Sequence, residues 1–397
     1  MATTGTSFAV STAFAALLAL SVPAATQDID AFLDRFQAVM TEQGTSVQWA
    51  GIEEYTDFQS RPVIALSNVT VGVADETVTL PVVELIEVTE EGDGWRIGTL
   101  LVPSYSQQDG DDWIYLNNIE MHGVSIEAEG VENEYGGMLL YEGARLGDLT
   151  VNAKGMEVFR MEDLHVEVEM PEGDEPMRFS GAAESFTANL AAAEDAQARA
   201  VASAMGFEEL AGYFEIEGEW HPASGRMNLS RYDITVEDAG TIGISLEIGG
   251  YTPEFIASLR ETQARLMANP GGDDSAAGLA MLGLMQQLTF HSARIHFYDD
   301  TLTEKVLEFV AQQQGARARD IANQAKGMVP FMMMQLGNQE LTMQATTAVS
   351  AFLDQPGSLV VAAQPPAPIP FALLMAGAMS APQSLPQQLG VTIKANE

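Results

Sequence analysis

One apolar phrase recurs along this chain of 397 residues and constrains its fold more than any other feature. It reads apolar-x-x-apolar-x-apolar-x-apolar, with clear copies beginning at Leu66, Met161, Leu229 and Phe290 and looser copies at Leu116 and Leu146. The period of two within each copy places the apolar side chains on one face of a β-strand and the polar ones on the other. Because the copies are irregularly spaced, they predict an antiparallel sheet with one apolar face rather than a solenoid.

Helical patterns interrupt and follow these strands. Apolar residues from Ile29 to Met40 recur at helical spacing, and the alanine-rich stretch from Ala191 to Leu210 also favours a helix. Thr252 and Pro253 form a helix start, as N-cap and first helical residue.

Further helices are expected towards the C-terminus. Thr301 and Glu304 have the spacing of a capping box, and the helix that follows should end at Gly315. Residues 318 to 354 predict one broken helix or two consecutive helices, with Pro330 and Gly337 as the breaks.

These patterns predict an α+β fold. It consists of a long, twisted, groove-like antiparallel sheet with covering helices in the middle and C-terminal thirds of the chain. We divide the chain into a signal peptide (1–25), an N-terminal helix with a mainly antiparallel sheet (26–250), and a helical hairpin with a mixed α/β region (251–397). The last region is expected to pack on the same sheet.

The first 25 residues carry no charge and contain a short apolar run from Phe8 to Leu20, followed by small residues. This pattern predicts a signal peptide cleaved near Ala24 or Ala25, and hence a periplasmic or secreted protein of a Gram-negative bacterium. The segment lacks the basic residue that normally opens a signal peptide, so a buried helix is the alternative. No later run reaches the roughly 18 apolar residues of a membrane span, so no integral span is expected in the mature chain.

The charge balance excludes several partners. The chain has 18 basic and 56 acidic residues, a net charge of −38, and such a field repels nucleic acid and anionic membrane surfaces. Residues 301 to 397 contribute only −1, which leaves −37 for the first 300 residues. The last quarter of the chain is therefore a different, near-neutral surface.

No motif indicates catalysis or a cofactor. The five histidines lack metal-ligand spacing, cysteine is absent, and no nucleophile elbow, P-loop or dinucleotide fingerprint occurs. With so many carboxylates, a pair at glycosidase spacing carries no information. We therefore assign no catalytic residue, metal ligand or cofactor, and expect a protein that is not an enzyme; a carboxylate-based hydrolase ranks third among the functions considered.

One apolar cluster near the C-terminus is the candidate ligand site. Methionine adapts its shape to varied apolar partners. The alternative is that these helices simply pack their apolar residues against the sheet. The predicted binding residues are Met328, Phe331, Met332, Met334, Leu336, Phe371 and Leu374.

Two C-terminal segments, together with the strand phrase, carry a resemblance to a known group. They are the run ARIHFYDDTLT at residues 293–303, which leads into a helix ending at Gly315, and PGSLVV at residues 356–361 with its proline-rich sequel. The chain resembles uncharacterised secreted proteins of alphaproteobacteria, which are similar to the AsmA-like group. That resemblance implies a long curved sheet whose apolar groove handles lipid in the cell envelope. AsmA-like proteins usually keep an N-terminal membrane anchor, whereas the signal predicted here is cleavable.

Pattern and resemblance together favour a non-enzymatic periplasmic envelope protein that binds or shields a lipid or another apolar ligand in a groove between sheet and helices. The expected partner is a lipid or an envelope protein, and not nucleic acid. The alternative is a structural or protein-interaction module that docks a partner through its near-neutral C-terminal quarter.

Overall fold

The computed structural model describes residues 28–73, 76–131, 133–171, 173, 175–193, 195–268, 281–334 and 337–397. The predicted signal peptide lies outside these residues. Within them, the strands form a single 16-stranded sheet in which neighbouring strands are antiparallel. The predicted α+β class, a long antiparallel sheet with packed helices, is confirmed.

The strands follow one another across the sheet almost entirely in chain order, as a meander. Exceptions lie at the two sides, where β1 and β2 both pair with β3, β15 pairs with β13, and β16 pairs with β14. The strands are β1 (Thr45–Gln48), β2 (Gly51–Thr56), β3 (Pro62–Val73), β4 (Glu76–Glu91), β5 (Gly94–Asp109), β6 (Asp112–Ile126), β7 (Gly143–Ala153), β8 (Met156–Glu169), β9 (Met177–Asn189), β10 (Glu209–His221), β11 (Arg226–Val236), β12 (Gly240–Gly249), β13 (Thr289–Asp299), β14 (Ser358–Ala363), β15 (Ile369–Pro370) and β16 (Val391–Ala395).

Helices precede the sheet, interrupt it once in the middle and dominate its C-terminal part. Short 3₁₀ turns lie at Leu190–Ala192 and Pro382–Ser384, and residues 281–285 form a helical turn. The helices are α1 (Ile29–Glu42), α2 (Ala196–Met205), α3 (Pro253–Ala268), α4 (Leu302–Gln314), α5 (Ala318–Met334), α6 (Gln339–Asp354), α7 (Phe371–Ser380) and α8 (Leu385–Gln388). None of the helices in the described part of the chain combines the length and the apolar character that crossing a membrane requires.

The helix starts and breaks differ in part from those predicted. Thr252 does cap α3, since its hydroxyl accepts a hydrogen bond from the Phe255 amide. The predicted capping box at Thr301 is wrong: the Thr301 side chain makes no cap hydrogen bond, and the Asp299 carboxylate accepts from the Thr303 amide instead. Pro330 lies inside α5 and does not end it.

The alanine-rich helix is also shorter than predicted. Its region contains a 3₁₀ turn, then α2, and β10 has already begun at Glu209. Gly206 ends α2 in the left-handed conformation, with φ at 73°. A glycine adopts that conformation at no steric cost, so the helix stops there despite the favourable composition around it.

Cross-strand pairs join the apolar side chains into one face that runs through the sheet, which we call the apolar face. One row of paired residues crosses from β4 to β11, and another crosses from β12 to β16. Both rows are predominantly apolar, as the recurring phrase predicts. The first row is Leu85, Leu100, Met121, Ala144, Val166, Gly181, Ile216 and Tyr232, and the second is Ile244, Ile295, Val361 and Ile393.

The recurring phrase begins with two consecutive polar positions between its first two apolar residues, and the structure explains this break in the alternation. Asn68, Asn118 and Asp163 each lie at the second of these positions and have a positive φ, between 49° and 55°. Asparagine and aspartate enter this left-handed region more readily than other non-glycine residues. The kink shifts the alternation by one residue, so that Leu66 and Val69 are both buried in the same core.

Helix α1 covers the apolar face over the first strands. Phe32, Leu33, Phe36 and Val39 all point into a core that the side chains of β3 to β6 complete. The Phe32 ring meets the Trp95 ring at a centroid distance of 6.0 Å. This amphipathic stripe, which the sequence predicts, closes the N-terminal part of the apolar face.

A second core closes one end of strands β8 to β13. It gathers side chains from the strand ends, from α3 and from the turn that precedes β13, and its buried members are Met177, Trp220, Phe255, Ile256, Leu284 and Leu288. The Trp220 indole N–H donates to the Tyr251 carbonyl at 2.6 Å. The Arg260 guanidinium ties α3 to the rest of the fold, because it donates to the carbonyls of Gly136 and Glu42.

The C-terminal helices cover part of the same face at the other end of the sheet, over strands β13 to β16. Helix α5 packs on α6, and α6 lies along β16 and contacts β14. The Gln344 side chain accepts a hydrogen bond from the Ile393 amide, and the Asn396 side chain donates to the Ala351 carbonyl. Strands β13, β14 and β16 thus continue the sheet that the first 250 residues begin, while the proposed division at residue 250 stays a prediction.

Candidate apolar binding face

Part of the apolar face lies bare between the covered regions. On β12 and β13, Ile242, Ile244 and Ile295 are 52%, 40% and 50% exposed. Tyr232 on β11 and Val361 on β14 are also exposed. Because these residues occupy neighbouring strands of one face, they form a continuous apolar strip rather than scattered surface side chains. We call these five residues the exposed strip.

The limits of the strip follow from where the helices pack. Helix α1 covers only the first strands, and the second core covers only one end of β8 to β13. On the far side, Phe297 contacts Phe352 of α6, but its cross-strand partner Ile242 is exposed. The helices therefore leave this strip uncovered.

The opposite face of the sheet has contrasting chemistry. Ion pairs cover it, including Arg231 with Glu215 at 3.2 Å and Arg145 with Asp163 at 2.6 Å. His296, between Ile295 and Phe297, pairs with Asp233 at 3.3 Å on that face. Exposed ion pairs such as that of Arg231 with Glu215 add little stability. The aliphatic side chains of these strands are therefore concentrated on one face of the sheet.

The predicted ligand residues are divided between two positions. Met328, Phe331, Met332 and Met334 are exposed on the second half of α5, and we call these four residues the methionine patch. Phe371 instead packs edge-on against Phe290, with ring centroids 6.4 Å apart, at the margin of the second core.

Of the remaining predicted residues, Leu374 is half-buried on α7, and Leu336 lies outside the described residues. A side chain at Gly337, just after α5, would contact the Gln383 side chain. The end of α5 is therefore close to the residues that follow α7, but whether these groups share one ligand site stays a prediction.

Sequence reasoning found the apolar face but missed the exposed strip. The signal for its residues was present, because Ile242, Ile244 and Leu246 alternate strictly along β12. Their exposure depends on where α3 to α7 dock, and a strand pattern carries no such information. The exposed strip is thus a property of tertiary packing.

The polar groups around the face have structural roles. Burial raises the pKa of Tyr251, whose carbonyl holds the Trp220 indole in the second core. Burial also raises the pKa of Tyr135, with Glu134 adding to the effect. Among the residues that the structure describes, no group of three or more His, Cys, Asp or Glu side chains is arranged to hold a metal ion.

A comparison with protein families matches only the C-terminal part of the chain. The model that matches covers residues 233–396 and is described as an uncharacterised protein. The matched span runs from within β11 to the residue after β16, and it contains Ile242, Ile244, Ile295 and Val361 of the exposed strip. No curated protein matches the chain significantly.

Proposed function

We propose that this protein binds or shields a lipid or another apolar ligand in the bacterial periplasm, and that the ligand lies on the exposed strip. The observation that carries the proposal is the exposure of Ile242, Ile244 and Ile295 on adjacent strands of a face that α1, the second core and α6 cover only in part. Three large aliphatic side chains on adjacent strands leave a gap in the cover, and an acyl chain has the shape and chemistry to fill it.

The energetics favour such a ligand. Each CH₂ group that leaves water for an apolar surface contributes roughly 0.8 kcal/mol. Several methylenes lying along β11 to β14 would therefore outweigh the cost of immobilising the chain. The ion pairs of the opposite face and the acidic surface of the first 300 residues would hold the complex in solution.

Two sequence features support the cellular setting of this proposal. The uncharged N-terminal segment has the pattern of a signal peptide, which would deliver the chain to the periplasm. The resemblance to AsmA-like proteins, whose sheets handle lipid, agrees with a sheet that has a bare apolar strip. We infer a carrier or shield rather than an enzyme, because the strip offers apolar surface and no convergent polar groups.

The first test is mass spectrometry of organic extracts from the purified protein. We expect stoichiometric lipid in the wild type and its loss in an Ile244→Asp, Ile295→Asp variant, because two carboxylates would have to be desolvated beneath the ligand. Ser245→Asp is the matched control, since position 245 lies on the opposite face of the same strand. Circular dichroism and thermal melting would establish that all three proteins are folded.

Two results would contradict the proposal. One is a folded wild-type protein whose extracts contain no lipid or other apolar compound. The other is equal lipid content in the wild type and the strip variant, because the bound compound would then lie elsewhere.

A protein-docking role is the second candidate, and the methionine patch favours it. Phe331 is 71% exposed on α5, within the near-neutral last quarter of the chain. Exposed aromatic and methionine side chains are typical of the centres of protein interfaces. A Phe331→Asp, Met332→Asp variant separates the two roles. If the protein binds lipid on the exposed strip, the variant retains its lipid. If the methionine patch docks a partner protein, the variant loses that partner, whatever its lipid content.

A further inference from the structure

An apolar cavity of about 690 Å³ lies at the end of the strands opposite the second core. It opens between α2 and α4, and its walls come from the 3₁₀ turn after β9, from α2, from the start of β10 and from the start of α4. Its main apolar wall residues are Leu190, Val201, Met205, Phe207, Leu210 and Leu302. The polar side chains that line it, Asp195 and Gln197, are exposed.

The floor of the cavity belongs to the apolar face. Val236 at the end of β11 lines the cavity, and Ile234 lies two residues before it on the same face of the strand. Ile234 pairs across the strands with Ile242, the residue of the exposed strip that lies nearest to the cavity. Two residues along a strand span about 7 Å. An apolar path therefore connects the strip with the cavity along β11.

Packed side chains fix the shape of the cavity. Phe207 is buried, its amide donates to the Ala202 carbonyl, and the Lys305 ammonium lies 3.9 Å above its ring. The Leu302 amide donates to the Ala239 carbonyl, which holds the start of α4 against the turn between β11 and β12. These contacts preform the concave surface before any ligand arrives.

We propose that this cavity is the tail subsite of the lipid-binding function inferred above, on which this inference rests. It takes the methyl end of a saturated acyl chain, while the rest of the chain lies on the exposed strip. The lining of the cavity favours the methyl end of the acyl chain over the headgroup. Its walls are aliphatic and aromatic, and the Asp195 carboxylate at its rim disfavours an anionic headgroup. The headgroup therefore lies away from α2.

The test compares the affinities of laurate, myristate, palmitate and stearate, measured by displacement of a fluorescent fatty acid. For the wild type, affinity should rise about fourfold with each CH₂, the equivalent of ~0.8 kcal/mol, until the cavity is full. Val201→Trp places a larger side chain in the cavity and narrows it, so we expect an about tenfold loss for palmitate with laurate nearly unchanged. Ala204→Trp is the matched control, because Ala204 is exposed on α2 and is not part of the cavity wall.

A second variant keeps the proposal testable should the tryptophan disturb α2. Val201→Ala enlarges the cavity and should shift the preference towards stearate. Chain-length profiles that are the same in the wild type and in both Val201 variants would overturn the tail subsite while leaving lipid binding on the strip intact. A wild-type protein that binds none of the four fatty acids would contradict the proposed function and this subsite together.

Discussion

Phe352 on α6 packs edge-on against Phe297 on β13, with ring centroids 6.1 Å apart and the planes at 63°. This contact marks the edge of the helical cover, since the next strand inward carries the exposed Ile242 opposite Phe297. The position of α6 therefore decides how much of the apolar face is buried and how much is left for a ligand.

Loss of the Phe352 ring should destabilise the fold strongly. Phe352 is buried, and replacing a buried phenylalanine with alanine costs about 3–5 kcal/mol through lost burial and the cavity left behind. We therefore expect Phe352→Ala to lower the free energy of unfolding by about that amount in denaturant titrations. Met379→Ala is the control, because Met379 is 88% exposed and its truncation should change stability by less than about 0.5 kcal/mol. Equal stabilities of the two variants would show that α6 is not anchored through this ring.

Two glycines should respond oppositely to the same substitution. A β-carbon at Gly212 on β10 would lie 2.1 Å from the Thr235 carbonyl oxygen and 2.7 Å from Phe186 Cζ, so the strands would have to move. We expect Gly212→Ala to destabilise the protein by about 1–3 kcal/mol, as overpacking does. A β-carbon at Gly327, inside α5, meets nothing within 4 Å, so Gly327→Ala should stabilise the protein by about 0.5–1 kcal/mol. Thermal unfolding of both variants measures this difference, and a loss of stability in Gly327→Ala would contradict the structure of α5.

The kink in the strand phrase predicts an unusual substitution pattern at Asn118. Its φ of 55° suits asparagine or glycine but excludes a β-branched side chain. Asn118→Val, which raises β-propensity, should nevertheless lower stability by about 1–2 kcal/mol, whereas Asn118→Gly should be nearly neutral. Denaturant unfolding compares the two variants. An Asn118→Val variant as stable as the wild type would mean that the strand runs straight and that the phrase has another origin.

Alkaline pH should weaken the edge of the sheet through Tyr55 on β2. Burial raises the pKa of Tyr55 to about 12 from its ordinary 10, and the hydrogen bond to Glu84 and the charges of Glu84, Glu53 and Asp57 add to the rise. The folded state thus holds the phenol proton more tightly than the unfolded state. This contribution is complete below pH 10 and is lost as the pH rises from 10 towards 12.

The measurement is the unfolding free energy of wild type and Tyr55→Phe across that pH range. The difference between the two proteins should shrink as the pH rises, because Tyr55→Phe has no proton to lose at this position. In a Glu84→Gln variant the pKa of Tyr55 should fall part of the way back towards 10, since a negative charge is removed while burial remains. A pH-independent difference between wild type and Tyr55→Phe would contradict this account.

The sequence predicts much of this fold because the apolar pattern and the turn residues are local signals. The phrase at Leu66 identifies both a strand and its inward face, and the stripe of α1 identifies the helix that covers it. Gly315 ends α4 in the left-handed conformation, as a C-cap glycine should. Such features are encoded within a few residues, so they can be read from the chain alone.

The candidate site could not be predicted in the same way. The exposure of Ile244 depends on helices that lie far away in sequence, and the cavity at Val201 depends on contacts between α2 and α4. The methionine patch was predicted as a binding site from composition, yet nothing in its residues distinguishes a ligand surface from a docking surface. Where a helix packs on a long sheet is set by tertiary contacts, and these have no short-range signature.

We propose that one face of the sheet, and not the other, binds an apolar ligand. Photo-crosslinking from adjacent positions of β12 tests this, with a benzophenone amino acid placed at Ile244 or at Ser245 in the full chain produced in cells. Ile244 lies on the apolar face and Ser245 on the polar face, so the two probes share one strand and differ in direction. We predict lipid adducts, identified by mass spectrometry, from position 244 and none from position 245. Adducts in equal amount from both positions, or lipid adducts from neither, would contradict the account.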